Sequence, residues 1–401
     1  MTTAHHENPH LRIALYSHDA LGLGHLRRNL VIAGALGRLE NVSTLLVTGC
    51  REASAFPAPE GVDYLSLPGY VKDAAGGYHP RFLRTSNERL AKMRADTMAA
   101  ALEAFAPDAL IVDKHPLGLF GELEPALQAL APIGTRCVLG LRDVLDRPAT
   151  VRREWLADRA DEALRDHYST VWVYGDPQVY DLVRECGLGD TVAERARYTG
   201  YLGVGRATSP APDSDPELDL GDGRIALCLV GGGQDGYSVA EAFVGSEMPA
   251  DTQGVLVTGP LMPAAQREAL RLRARASVQV VDFVADPSPL VDRADAVVAM
   301  GGYNTVCELL AKGKRTLIVP RVAPRQEQLI RARRLERTGH VDVLLPADAR
   351  HSALEDWLDD RSRAESTPAA PIDLDGLQRL PGLLLEAMSP EPGLHEMRLV
   401  A

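Results

Sequence analysis

The feature that most limits what this chain can fold into is an alternation, run through twice, of short apolar segments with longer amphipathic ones. That pattern belongs to βα units wound into a mostly parallel sheet. In the first series the expected strands are 11–17 (LRIALYS), 43–48, 62–67, 108–113 (DALIVD), 136–141 (RCVLGL) and 170–174 (TVWVY). Helices are expected at 25–39, 87–105, 117–130 and 150–167, the second carrying Leu90, Met93, Thr97, Met98, Ala101 and Phe105 at helical spacing. Segment 68–86, with Pro68, Gly69, Gly76, Gly77 and Pro80, reads as a surface loop. The second series places strands at 224–230 (RIALCLV), 253–258, 278–283, 295–299 and 315–319, with helices near 237–246, 263–276, 303–312, 326–338 and 351–360. Between the series lies a run of Pro, Asp, Ser and Gly without apolar periodicity, which reads as a linker. The expectation is an α/β chain of two Rossmann-like, doubly wound lobes facing across a cleft: 1–200, a linker over 201–223, and 224–401, with 371–390 as a closing helix. A length of 401 residues agrees, because single cores usually stop growing near 250–300 residues.

A formal charge of −12 argues against nucleic acid as the default partner. Cys50, Cys137, Cys186, Cys228 and Cys307 lack metal-ligand spacing and read as buried free thiols in a reducing compartment. The first residues carry no basic segment leading into an apolar one, and no stretch approaches about 18 uninterrupted apolar residues. A soluble cytoplasmic protein is expected.

Three glycine-rich turns follow strands. Gly22-Leu23-Gly24-His25 closes the first strand and opens the first helix, where glycine lets a ligand approach the backbone. It fails as a dinucleotide fingerprint, since Arg27 replaces the third glycine and the second strand ends in Val47-Thr48-Gly49 without a ribose-binding acid. His25 sits at the sheet's carboxyl edge near a helix N-terminus, which favours the neutral imidazole that a general base needs. Asp113 ends another strand on the same edge and can fix the tautomer of His25, with a helix-capping role as its alternative. His18 and Asp19 are rivals for these positions. Gly231-Gly232-Gly233-Gln234-Asp235-Gly236 makes a nest of amides suited to a diphosphate or a sugar hydroxyl, and lacks the Gly-Lys-Ser/Thr ending of a P-loop. Met300-Gly301-Gly302-Tyr303-Asn304-Thr305 is followed one helical turn later by Glu308, positioned for a ribose diol, and Glu327-Gln328 opens a further helix.

These residues resemble the C-terminal lobe of GT-B glycosyltransferases, especially family 28 and more distantly family 1. The likeness runs in order through Phe283, Asp295-Ala296-Val297-Val298, the third glycine turn, Glu308, Pro320, Glu327-Gln328 and Thr338-Gly339; Gly231 to Gln234 and Gly22 to His25 resemble two further turns of family 28. The resemblance implies that Glu308 binds the donor ribose and that Gly301, Gly302, Asn304 and Thr305 lie at the diphosphate. It implies that the backbone at Phe283-Val284 reads the base, that Glu327 and Gln328 contact the transferred sugar, and that Gly232, Gly233 and Gln234 line the cleft. His25 becomes the catalytic base, oriented by Asp113. Met300 stands where family 1 has a phosphate-contacting histidine, so phosphate charge falls to helix amides and to Arg325 or Arg331. The other arginines of that helix, Arg333, Arg334 and Arg337, read as a solvated face.

The implied reaction is transfer from a UDP-sugar, UDP-GlcNAc being one candidate, to a hydroxyl or amine of a small-molecule or glycan acceptor, without a metal; the sugar and the acceptor stay open. Asp213-Ser214-Asp215 has metal-binding spacing but lies in the linker. The alternatives are a nucleotide-sugar epimerase or hydrolase of the same fold, and a noncatalytic nucleotide-sugar-binding subunit. Peripheral membrane contact and oligomeric state stay open.

Overall fold

The computed structural model describes residues 10–18, 23–51, 53, 56, 58–72, 77–206, 220–284, 286–360 and 370–389. In chain order its strands are β1 (Leu11–Ser17), β2 (Val42–Thr48), β3 (Val62–Ser66), β4 (Tyr70–Lys72), β5 (Tyr78–Pro80), β6 (Ala109–Asp113), β7 (Arg136–Arg142), β8 (Thr170–Tyr174) and β9 (Ala196–Tyr198), followed by β10 (Arg224–Leu229), β11 (Thr252–Val257), β12 (Val278–Val281), β13 (Ala296–Ala299), β14 (Arg315–Ile318) and β15 (Asp342–Val343). The first lobe is a parallel sheet in the order β3-β2-β1-β6-β7-β8-β9, and the second a parallel sheet in the order β12-β11-β10-β13-β14-β15. Both central strands of each sheet are buried runs of Val, Ile, Leu and Ala, as a sheet with helices on both faces requires.

In each sheet the winding direction reverses once, between β1 and β6 and between β10 and β13. Loops diverge at such a reversal and leave a crevice outside the carboxyl ends of the two strands. The register pairs Tyr16 with Val112 in the first sheet and Leu229 with Ala299 in the second. The residues that follow these pairs are therefore neighbours at one edge.

Four expectations change. Segment 68–86 is not wholly irregular, since β4 and β5 pair as an antiparallel hairpin, too short to carry a periodic signal. The helix expected at 150–167 is two, Pro148–Ala157 and Ala160–His167, broken where Arg159 turns left-handed at φ 51°. The expected linker begins later than 201, because Tyr201 and Leu202 are fully buried and Leu202 bridges to Asp375; residues 207–219, including Asp213-Ser214-Asp215, lie outside the described residues. The closing helix, Gly376–Met388, does not belong to the second lobe alone. Its Leu377, Leu380 and Leu384 join one core with Leu26, Leu30 and Ala33 of helix Gly24–Leu36, and Arg379 donates to the Thr199 carbonyl. Its apolar stripe is thus buried against the first lobe. All five cysteines are buried and none forms a disulfide. No helix of the described residues is long and apolar enough to cross a membrane.

Candidate active site

At the first reversal the chain leaves β1 and enters helix Gly24–Leu36, with Gly24 exposed as its first residue and His25 as its second; Asp19 and Gly22 lie outside the described residues. Asp113 is the last residue of β6, the neighbouring strand. His25 Nδ1 stands 2.6 Å from Asp113 Oδ2. An ionised carboxylate only accepts, so the Nδ1 proton is donated to Asp113 and Nε2 keeps its lone pair. Arg28, one helical turn along and 2% exposed, donates to the other oxygen of Asp113, and its Nη2 also lies 2.9 Å from His25 Nδ1. Burial works against ionisation of Asp113, but the adjoining Arg28 and His25 hold it well below the usual carboxylate range. Burial lowers His25 to about 4, Asp113 opposing and the cations Arg28 and Arg142 reinforcing. Because Arg28 already balances Asp113, the imidazole is not drawn into its cationic form. A neutral base with a fixed tautomer results.

Two further histidines adjoin it. The His18 ring meets His25 edge-on at 5.6 Å and lies 4.2 Å from His115, whose Nδ1 is 2.7 Å from Asp158. Burial, and then the neighbouring cations and histidines, push both well below the ordinary histidine range. His18 thus flanks His25 without touching Asp113's oxygens.

The second lobe builds its edge from backbone. Gly233 has φ 91°, and a Cβ there would stand 2.2 Å from the Thr258 carbonyl; Gly301 has φ 85°, with a Cβ 2.8 Å from Ile318. Gly302 caps helix Tyr303–Ala311, and a Cβ there would meet nothing within 4 Å, so the helix start opens onto the cleft. Gly232 is half-buried and Gln234 exposed on the same rim. Glu308 is 5% exposed and accepts from the Ser288 hydroxyl at 2.7 Å. Thr305 is half-buried in the first turn of that helix, and Asn304 Nδ2 donates across the cleft to the Gly24 carbonyl at 2.9 Å. Val284 is buried, and Phe283 meets Phe56 of the first lobe edge-on at 6.2 Å. Glu327 is 3% exposed; Oε1 accepts from Arg321 at 2.5 Å while Oε2 is buried without a partner. Gln328 Oε1 accepts from the Arg321 amide at 2.9 Å, leaving its NH2 for a ligand.

The two arginines expected at the phosphates are engaged elsewhere. Arg331 does turn inward and is 1% exposed, but its Nε and Nη2 bind Asp143 at 2.7 and 2.6 Å and its Nη1 donates to the Gly301 carbonyl. Arg325 binds Glu154 at 2.7 Å and lies 3.4 Å from Asp146. Asp143, Asp146 and Glu154 all belong to the first lobe, so both arginines clasp the lobes together. Their partners sit more than 170 positions upstream, where spacing carries no signal. Arg28 was also missed, although its place three residues after His25 puts it on the same helix face. Among the described residues no group of three or more His, Cys, Asp or Glu is placed to hold a metal ion.

Two parallel-sheet lobes, each with its reversal facing the cleft, give this chain the GT-B fold. Solved structures agree on the fold: the glycosyltransferase SnogD from Streptomyces nogalater matches with a TM-score of 0.56 at 17% identity over 96% of each chain. A putative UDP-N-acetylglucosamine 2-epimerase from Listeria monocytogenes matches at 0.61 and 13%, covering 94% of this chain and 95% of that one. The second lobe is similar to the glycosyltransferase family 28 C-terminal domain, whose family model matches residues 227–373. A curated relative from Streptococcus sanguinis, the UDP-N-acetylglucosamine--N-acetylmuramyl-(pentapeptide) pyrophosphoryl-undecaprenol N-acetylglucosamine transferase, is 33% identical over 160 residues, 39% of this chain and 44% of the relative. The chain therefore spans less than half the length of the relative it matches.

Proposed function

We propose that this chain transfers a sugar from a UDP-sugar to a hydroxyl or amine of an acceptor held against the first lobe. The observation that carries the reading is the His25–Asp113 pair, kept neutral at its Nε2 by burial and by Arg28, facing a lobe similar to the family 28 C-terminal domain across the cleft. In this mechanism Nε2 takes the acceptor proton as the acceptor atom bonds to the anomeric carbon, and the bond from that carbon to the UDP diphosphate breaks. The imidazolium formed is stabilised by Asp113. Amides at Gly301, Gly302, Asn304 and Thr305 receive the departing diphosphate, whose charge the helix dipole favours. Glu308 takes the ribose, the backbone at Phe283 and Val284 the base, Glu327 and Gln328 the sugar, with Gly232, Gly233 and Gln234 as the cleft rim. UDP-GlcNAc is the first donor to test, since the curated relative's name carries it. The reading needs no metal, and the five unpaired thiols fit a cytoplasmic setting.

A nucleotide-sugar epimerase or hydrolase is the second reading, favoured by the fold shared with the Listeria protein. Incubation with UDP-GlcNAc alone separates the two: sugar interconversion or rapid UDP release without acceptor supports the second. For transfer, His25→Ala is expected to lower the rate by about 10²–10⁴-fold while UDP affinity stays within about twofold. Unchanged turnover would remove His25 from the mechanism.

A further inference from the structure

Most carboxylates lining the cleft are matched to partners, Glu327 Oε2 being an exception. Arg28 holds Asp113, Arg331 holds Asp143, Arg325 holds Asp146 and Glu154, Arg321 holds Glu327 and Asp235, and His115 holds Asp158. Two half-buried cations beside the His25–Asp113 pair, Arg142 and Lys114, form no salt bridge among the described residues. Arg142 ends β7 and Lys114 directly follows β6, and the Lys114 amide bonds the Gly140 carbonyl, so the two rise from adjacent strand ends beside Asp113. Arg142 Nε is buried without any partner. The charges that act on its guanidinium are Glu327 first, then Arg28, Arg331 and Asp113, so it responds to both the His25–Asp113 pair and the donor edge, and Glu327 offsets it without a hydrogen bond. Lys114 is held in the left-handed region at φ 70°, uncommon for a residue with a side chain. Facing it are Arg325, Glu154, Arg142 and Lys72, and Glu154 is already bound by Arg325. Lys72 itself lies over the Tyr78 ring at 5.2 Å.

A half-buried cation without a counter-ion lowers stability, and proteins keep such groups where a ligand supplies the missing charge. We propose that Arg142 and Lys114 form an oxyanion subsite on the acceptor side of the cleft, which takes a phosphate or carboxylate carried by the acceptor close to the hydroxyl or amine presented to His25. The word acceptor rests on the transferase reading; the subsite does not. Burial, opposed by Glu327 and reinforced by Arg28 and Arg331, lowers Arg142 to about 10, and burial with Arg325, opposed by Glu154, lowers Lys114 to about 8. The donor's phosphates have the amides of Gly301 and Gly302 instead. Arg27, another half-buried cation near the cleft, faces Glu308 and Asp286 on the donor side and is outside this subsite.

The test titrates inorganic phosphate into the full chain saturated with UDP, in phosphate-free buffer at pH 7, by calorimetry. Saturable one-to-one binding is expected, weakened at least about tenfold in Arg142→Gln and in Lys114→Gln, with the UDP affinity of both variants within about twofold of the parent. Lys114→Gln is expected to melt at or above the parent temperature, because it removes an uncompensated charge, and Arg142→Gln within about 5 °C of the parent, because Glu327 keeps Arg321. No phosphate binding to the UDP-loaded parent, or equal binding by the variants, overturns the proposal. So does a tenfold loss of UDP affinity, which would assign the cations to the donor diphosphate, or a fall in Tm beyond about 5 °C, which would make them structural. Failure of the parent to bind UDP defeats the transferase reading instead.

Discussion

The two carboxyl edges that face each other in this molecule arise from the same topological device and are equipped in opposite ways. At the β1/β6 reversal the working groups are charged side chains, with His25, Asp113 and Arg28 bonded to one another in a half-buried pocket. At the β10/β13 reversal they are mostly main chain, with Gly233 and Gly301 in left-handed conformations and Gly302 opening a helix start to the cleft. The first edge depends on charge balance and the second on empty volume. Deleting a charge should therefore damage the first edge most, and adding a methyl group should damage the second.

Asp113→Asn is expected to show the largest effect. It leaves Arg28, 2% exposed, without its counter-ion, and breaking a buried pair from one side costs about 3–5 kcal/mol. Urea melts measure this, and a loss under about 1 kcal/mol would mean that the first edge is not organised by charge. On the second edge, Gly233→Ala places a Cβ 2.2 Å from the Thr258 carbonyl at a left-handed residue, for an expected loss of roughly 2–4 kcal/mol. Gly302→Ala meets nothing within 4 Å, so its melt should match the parent. Its methyl group projects where the donor diphosphate is proposed to lie, and UDP affinity should drop by about tenfold. Equal UDP binding by that variant would move the donor away from this helix start.

The same contrast explains what was legible in the sequence. Both sheets could be read, since uninterrupted apolar runs such as LRIALYS and DALIVD have few other uses, and strand ends then place His25 and Asp113 at one edge. The second and third glycine turns were equally readable, because a left-handed backbone leaves its mark on residue type. Charge partners were not. Arg331 and Arg325 looked like phosphate ligands until the fold brought Asp143 and Glu154 to them, and Arg142 lay just past the expected strand 136–141. The path of helix Gly376–Met388 back to the first lobe was hidden for a similar reason: its apolar stripe specifies that it is buried, not against what.

The smallest expected effect tests whether Arg28 sets the state of His25. With its pKa lowered to about 4 by burial and by Arg28, His25 stays an unprotonated base well below the pH at which an ordinary histidine fills. The acid limb of kcat/KM should therefore fall near pH 4, with less than about twofold change between pH 7 and 5.5, where a histidine of pKa ~6.5 would lose about tenfold. Stability carries the same sign. The unfolded chain takes up a proton on His25 below about 6.5 and the folded chain does not until about 4, so stability present above 6.5 is lost as pH falls through that window. His18 and His115, lowered in the same direction, add to this loss. An acid limb at 6.5 together with a pH-independent melt over 6.5 to 4.5 would show that Asp113 acts on His25 without the neutralising arginine, and that the charged edge is arranged differently from the one described.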